Sequence, residues 1–422
     1  MKAIKKEIKK GINLHIIETD KFKTNLIAVF LTTELNRENV TKNALISSVL
    51  RRGSKSMKTQ EEISKQMEEM YGATFDCGID KMGDNQVLKF YIETINDNFL
   101  PRDSENILNQ GIEKILEIVF NPCIENNAFD QKYIEQEKNN IRKRIEGKID
   151  NKSRYALDRC IEEMYKNEPY GLYKFGYAED LDKIDNENLY QYYKELICNC
   201  KVDIFVSGIV DDKTEDIVKN NENIKELNER KAKYNLINSK NREDSNNENI
   251  ITESMNVTQG KLVLGLDVDA DDDLRYDILM YNSILGGSAN SKLFQNVREK
   301  ANLAYIASSS YFRYKGNIFI NCGIDIENYE KTLELIKKQI EDMKKGDFTE
   351  DEIENAKKGI IATIKTIEDE QDTQIMYNFS EELTGKEVSV ENYIENIKKV
   401  EKNNIVDIAN RIKINTIYFL KN

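Results

Sequence analysis

One histidine, His15, stands in 422 residues, and that scarcity narrows the chemistry before any motif is sought. Hydrolytic zinc sites and most proton-shuttling dyads rely on imidazole. A lone ring in the apolar stretch NLHII reads as an ordinary strand histidine. Long apolar runs are missing too. No window approaches the roughly 20 residues that a membrane helix requires. The basic start, MKAIKKEIKKGINLHII, lacks the apolar core of a signal peptide. These absences lead us to expect a cytoplasmic chain with no membrane partner. The six cysteines, at positions 77, 123, 160, 198, 200 and 322, are scattered and form no disulfide framework. Cys198-Asn-Cys200 has no second pair or histidine beside it, so it is read as structural and reduced, like the rest. Excess positive charge is also lacking. Lys and Arg number 62 against 75 Asp and Glu, a net charge of −13, which argues against a nucleic-acid partner. The cations alternate with carboxylates as on solvated helix faces.

What is present is the chain's own likeness to itself. A length of 422 residues suggests two domains rather than one core. Met67–Phe75 (MEEMYGATF) lies over Val297–Tyr305 (VREKANLAY) at an offset of 230. In each, an amphipathic helix ends in a small-residue turn and passes into a strand bearing an aromatic. A second strand follows in each copy, at Gln86–Ile92 and at Gly316–Cys322. Phe129–Asp150 lies over Phe348–Asp369 at an offset of 219, with isoleucines at helical spacing in both. Leu181–Leu189 lies over Ile397–Ile405 at an offset of 216. The drop from 230 to 219 puts about 11 extra residues in the first copy, near Pro101–Gly111. We therefore expect an α+β fold, a tandem repeat of two similar sheet-plus-helices domains. The first spans 1–219 and the second 257–422, about a polar linker at 220–256.

The stretch Leu285–Tyr311 begins LGGSANSKLFQNVREKANLAY, near the start of the second copy. With the two-fold repeat, it resembles the insulinase and pitrilysin peptidases, and most of all the short bacterial branch related to mitochondrial processing peptidase. The resemblance covers nearly the whole chain. In that family the first domain carries an inverted zinc motif, H-x-x-E-H, on its first helix, and a later Glu completes the metal's ligands. Aligned on the turn Arg51-Arg52-Gly53-Ser54, the motif's positions fall on Ala44, Leu45, Ile46, Ser47 and Ser48, and the third ligand falls near Arg144. The resemblance thus implies a chain with no catalytic residue and no metal of its own. It also implies that Arg298 and Tyr305 hold peptide substrate, with Gly286 and Gly287 forming a tight turn before a helix over Ser291–Lys300. Asn302 is expected to end the helix, with Tyr305 on the next strand; Gly286 and Gly287 are either part of the substrate-holding loop or a simple helix-entry turn with Ser288 or Asn290 as cap. A guanidinium can fork onto peptide carbonyls, and a phenol can donate to an oxyanion. From spacing alone, an Arg paired with Glu299 and a core Tyr remain an open alternative.

Three functions compete. The first is the non-catalytic subunit of a two-chain peptidase, whose zinc-bearing paralogue supplies the metal. The second is a peptide-binding or scaffold homodimer that has left proteolysis. The third is a relocated metal site in the acidic run Asp267, Asp269, Asp271, Asp272 and Asp273, against which stands a plain capping loop.

Overall fold

The computed structural model of the chain describes residues 3–101, 106–211, 213–230 and 248–422. Among the described residues, eleven strands run in chain order as β1 (Ile4–Lys9), β2 (Ile12–Glu18), β3 (Thr24–Glu34), β4 (Thr74–Met82), β5 (Asn85–Ile95), β6 (Lys201–Gly208), β7 (Asn249–Ser254), β8 (Gly260–Val268), β9 (Ala304–Phe312), β10 (Asn317–Ile324) and β11 (Ile412–Lys421). Among the helices are α1 (Val40–Val49), α2 (Gln60–Glu69), α3 (Ile107–Phe120), α4 (Gln131–Glu146), α5 (Lys152–Met164), α6 (Asn186–Asn199), α7 (Arg275–Leu285), α8 (Leu293–Lys300), α9 (Tyr329–Lys344), α10 (Glu350–Thr366) and α11 (Gln371–Thr384).

Two compact units result. The first is Met1–Glu146 with Leu172–Leu236 and Ile367–Glu387, and the second is Gly147–Gly171 with Ile237–Thr366 and Val388–Asn422. The first holds a sheet in the order β1-β2-β6-β3-β5-β4, the second a sheet in the order β7-β11-β8-β10-β9. Leaving out β1, the two orders correspond strand for strand, which is the internal repeat in three dimensions. Both sheets are antiparallel except for one parallel pair each, β2 with β6 and β11 with β7. The fold is α+β, as expected.

Central strands read as near-continuous apolar runs because both faces are covered. In β3, LIAVFLT is buried at every position. One face packs against helices such as α3, which Asn106 caps through its side chain and which buries Leu108, Ile112, Ile115 and Val119 at helical spacing. The other face is covered from a distant part of the chain. Phe379 of α11 is fully buried, its ring centroid 4.7 Å from that of Phe30 on β3 and 6.1 Å from that of Phe205 on β6. Gln371 of α11 donates to the backbone carbonyls of Ser207 at 3.0 Å and Thr24 at 3.2 Å. In the second unit α5 plays the same part, packing Leu157, Cys160 and Ile161 with Val263, Phe319 and Tyr418. The two halves have thus exchanged equivalent helices.

The compact units therefore cut across the expected division at 220–256, since each borrows a helix from the other half. That polar stretch also holds a short helix, Glu222–Glu226, and β7, which adds to the edge of β11. Its residues 231–247, like 102–105 of the expected insertion, lie outside the described residues. Among the described residues, no helix is long and apolar enough to cross a membrane.

Candidate functional site

The first helix of the first unit carries the positions aligned with the zinc motif. Ala44 is fully buried, and Ser47 and Ser48 nearly so. Both hydroxyls turn back on their own helix, donating to the Ala44 carbonyl at 2.9 and 3.4 Å, a local bond typical of mid-helix serine. Arg144 lies exposed on α4, its guanidinium 5.6 Å from the centre of the Phe175 ring. A methyl, two hydroxyls and a guanidinium do not fit zinc, which binds neutral imidazole, thiolate or carboxylate. Among the described residues, no group of three or more His, Cys, Asp or Glu could hold a metal ion. The acidic run does not replace it. Asp272 takes hydrogen bonds from Arg313 at 2.8 and 3.0 Å, and Asp267 takes one from Asn415 at 2.7 Å. Asp271, at the head of the short turn Asp272–Leu274, makes no side-chain cap. Of the five aspartates, Asp272 and Asp267 are thus engaged by arginine and asparagine side chains.

Two features near the motif were missed in the sequence. Glu137 of α4 is 4% exposed and accepts from Arg52 Nε at 2.6 Å and Asn140 Nδ2 at 3.2 Å. Cys77 of β4, half-buried, has its thiol pushed up to about 11 by burial, with Arg51 and Arg144 pulling the other way. Neither has a spacing signature, since each acts with residues far along the chain. His15 is buried on β2, stacked on Phe205 at 4.3 Å, with Nε2 at 2.9 Å from Asp203 Oδ1.

In the second unit α7 ends at the glycine pair. Gly286 lies flat against β9, accepting from Ser309 N at 2.9 Å. A Cβ there would fall 2.6 Å from that same nitrogen, and one on Gly287 would fall 2.9 Å from Ser283 Cα. Close approach of backbone, rather than a left-handed turn, requires both glycines. The helix that follows is wider than expected. It spans Leu293–Lys300 with π-type winding, and Ala301 N donates to Asn296 O five residues back at 3.2 Å. Asn296 Nδ2 ties it to buried Gln339 of α9. Neither Ser288 nor Asn290 caps it by side chain; Ser288 Oγ accepts from Asn290 N inside the preceding turn. Asn302 then takes a left-handed φ of 51°, which its short side chain tolerates, and the chain enters β9.

Tyr305 is no core residue; it is 62% exposed. Along β9, Ala304 opposes Ile324 and Ile306 opposes Gly323, so Tyr305 is the extra residue of a β-bulge. Such a bulge re-aims a side chain and commonly sits at a sheet edge. β9 is an edge strand. Its repeat counterpart β4 pairs without interruption, Phe75 facing Ile92 in register, so the bulge belongs to the second copy alone. Among the described residues, the Tyr305 hydroxyl reaches only Asp325, at 3.4 Å. Arg298 lies on the solvent side of α8, over Phe294 at 4.5 Å and 3.7 Å from Glu299. An exposed pair of that kind contributes little.

Known proteins resemble this chain over its whole length. A profile described as "Peptidase M16 inactive domain" matches residues 183–360. The "Probable inactive metalloprotease YmfF" of Bacillus subtilis is 32% identical over 413 residues, 97% of this chain and 96% of that one. The same organism's "Uncharacterized zinc protease YmxG" is 24% identical over 68% of this chain and 69% of its own. A conserved protein from Enterococcus faecalis V583, of known crystal structure, superposes with a TM-score of 0.92 at 29% identity, covering 100% of this chain and 99% of that one. With full-length likeness to a probable inactive metalloprotease, this chain belongs to the insulinase/pitrilysin-type peptidase family, M16, as a member whose sequence, with its single histidine, lacks the H-x-x-E-H motif.

Proposed function

We propose that the chain is the non-catalytic half of a two-chain zinc peptidase, holding extended peptide with Arg298 and Tyr305 while a zinc-bearing paralogue supplies the metal. The observation that carries this reading is the bulge that turns Tyr305 outward on the edge strand β9. A buried aromatic would serve packing; an exposed one on a sheet edge, with a guanidinium nearby in sequence, can serve a peptide. An edge strand offers backbone donors and acceptors to an extended chain. Arg298 can fork onto carbonyls of that chain. The Tyr305 phenol can donate to an oxygen that gains negative charge as its carbonyl is attacked. Metal and general base would come from the partner.

The test is peptidase activity of the purified chain alone, of its zinc-bearing homologue alone, and of the two mixed. Activity confined to the mixture is expected, falling about a hundredfold with Tyr305→Phe, the scale of a lost oxyanion donor. An active homologue that gains nothing from this chain would sink the reading. Failure of pull-downs to recover any zinc-bearing homologue would favour a homodimeric scaffold.

A further inference from the structure

Just past the end of α1, the first unit holds a cavity of about 180 Å³. Four segments wall it: the end of α1 at Val49, the turn into α2, the exit from α3 at Pro122 and Cys123, and the start of α4 at Phe129 and Tyr133. Backbone hydrogen bonds fix these walls. Cys123 N donates to Gly53 O at 3.1 Å, and Lys55 N donates to Asn121 O at 2.9 Å. The connection from α3 to α4 folds back as a tight hairpin. In it Glu125 and Ala128 exchange both backbone bonds at 3.0 Å, over Asn126 and Asn127 in the left-handed region. A volume close to the roughly 150 Å³ that holds a benzene ring has room for one small molecule, not for a length of chain.

Four charged side chains line this cavity, and two of them are engaged. Arg52 is neutralised by buried Glu137 and donates to Gln60 at 2.9 Å. Asp130 caps α4, accepting from Lys132 N at 2.7 Å and Tyr133 N at 3.3 Å. Glu62 of α2 lies outside the lining and accepts from Lys58 N at 2.6 Å. The Lys58 ammonium and the Glu125 carboxylate are left over, one from each side of the α2–α3 sequence. Among the described residues, neither side chain makes a hydrogen bond or an ion pair, with the other or with any third group. The lining is electrically even, two cations and two carboxylates, so a lone anion or cation would unbalance it. Opposite charges that share a cavity without meeting are bridged by a ligand that carries both signs.

We propose that this cavity binds a free α-amino acid with an apolar side chain. Its ammonium meets Glu125, its carboxylate meets Lys58, and its side chain lies against Val49, Pro122, Phe129 and Tyr133. A few charged groups in an otherwise apolar pocket set the ligand's orientation, while the apolar walls select its side chain. The inference goes beyond the proposed function and does not rest on it, since Arg298 and Tyr305 belong to the second unit.

Cys123 supplies the readout, because its half-buried thiol lines the cavity. The full chain is alkylated with iodoacetamide, and the rate at Cys123 is followed by peptide mass spectrometry, with exposed Cys198 as the internal control. Valine, leucine, isoleucine, methionine and phenylalanine are added one at a time. At least one should slow Cys123 about tenfold at about ten times its dissociation constant, leaving Cys198 unchanged. Lys58→Gln and Glu125→Gln, each compared with its own rate without ligand, should each weaken that binding about tenfold. Both side chains are exposed, so both variants should fold, and an unchanged melting temperature checks this. Analogues of the tightest binder that lack one end should be weakened alike; for leucine these are isocaproate, without the ammonium, and isoamylamine, without the carboxylate. Protection by either analogue that equals the amino acid's overturns the two-ended site. So does protection that survives both substitutions, and so does the failure of all five amino acids to protect Cys123.

Discussion

Among single residues, Asp203 makes the sharpest demand on its surroundings. It is wholly buried on β6, accepting from Asn13 at 3.0 Å and lying 3.0 Å from Lys201. Burial alone would raise its carboxyl pKa. Lys201 and the bonds from His15 and Asn13 win instead and hold it well below the usual carboxylate range. Glu382 of α11, similarly lowered, bridges Lys201 at 2.8 Å and Lys5 at 2.8 Å. A carboxyl whose folded pKa is depressed contributes stability that is present above its unfolded pKa, about 3.9, and lost as pH falls below that value. Wild-type stability should therefore decline steeply below about pH 4. Asp203→Asn should be less stable at pH 7 by about 3 kcal/mol, because Lys201 loses a buried partner, yet show a shallower acid limb. Urea midpoints at pH 7, 5 and 3.5 give the comparison. Parallel limbs for the two proteins would mean that Asp203 does not titrate as argued. This network left no mark in the sequence: His15 and Asp203 lie 188 residues apart and meet only because β2 pairs with β6.

For elements, the repeat was legible and the exchange was not. Isoleucine spacing in 129–150 and 348–369 announces two equivalent helices, and α4 and α10 are there. The helices that follow them, α5 and α11, are equally amphipathic, but periodicity says only that one face is buried, never against which sheet. Likewise the pattern around Arg298 announces a helix and a following strand. The π-type widening and the bulge at Tyr305 have no local spacing signature, and neither does the Asn296–Gln339 bond that ties the helix to its neighbour. β7 hid in a polar stretch because a six-residue edge strand with exposed alternate positions differs little from a linker. The lack of H-x-x-E-H was legible residue by residue, whereas the contact of Arg144 with the Phe175 ring was not. The exchange has a measurable consequence. Phe379→Ala removes a fully buried ring from between α11 and the first sheet, at a cost of about 3–5 kcal/mol. Hydrogen exchange should accelerate in α11 and on β3 and β6, while β8 and β10 keep their protection at low denaturant. Uniform acceleration across both sheets would show that α11 is not anchored as a local element.

For the molecule as a whole, the reciprocal exchange means that neither half of the sequence owns a complete unit. A chain cut between 236 and 237 gives two fragments, each with its sheet and without the helix that covers one face. The first fragment, lacking α11, would leave Phe30 and Phe205 open to water; the second, lacking α5, would leave Val263, Phe319 and Tyr418 open. Each uncovered side chain forfeits about 2 kcal/mol of burial. Two or three of them together approach the roughly 5–15 kcal/mol by which a whole domain is ordinarily stable. The charged partners compound this, because Lys5 and Lys201 would lose Glu382. Expressed alone, each fragment should therefore aggregate or lack fixed tertiary structure by near-ultraviolet circular dichroism. Expressed together, they should copurify as a 1:1 complex whose melting profile approaches that of the intact chain, since all the covering helices are then present. The alternative is that each sheet folds on its own and the borrowed helix merely rests on it. Either fragment behaving alone as a monomer with slow-exchanging strands would establish that alternative and remove the exchange from the account of stability.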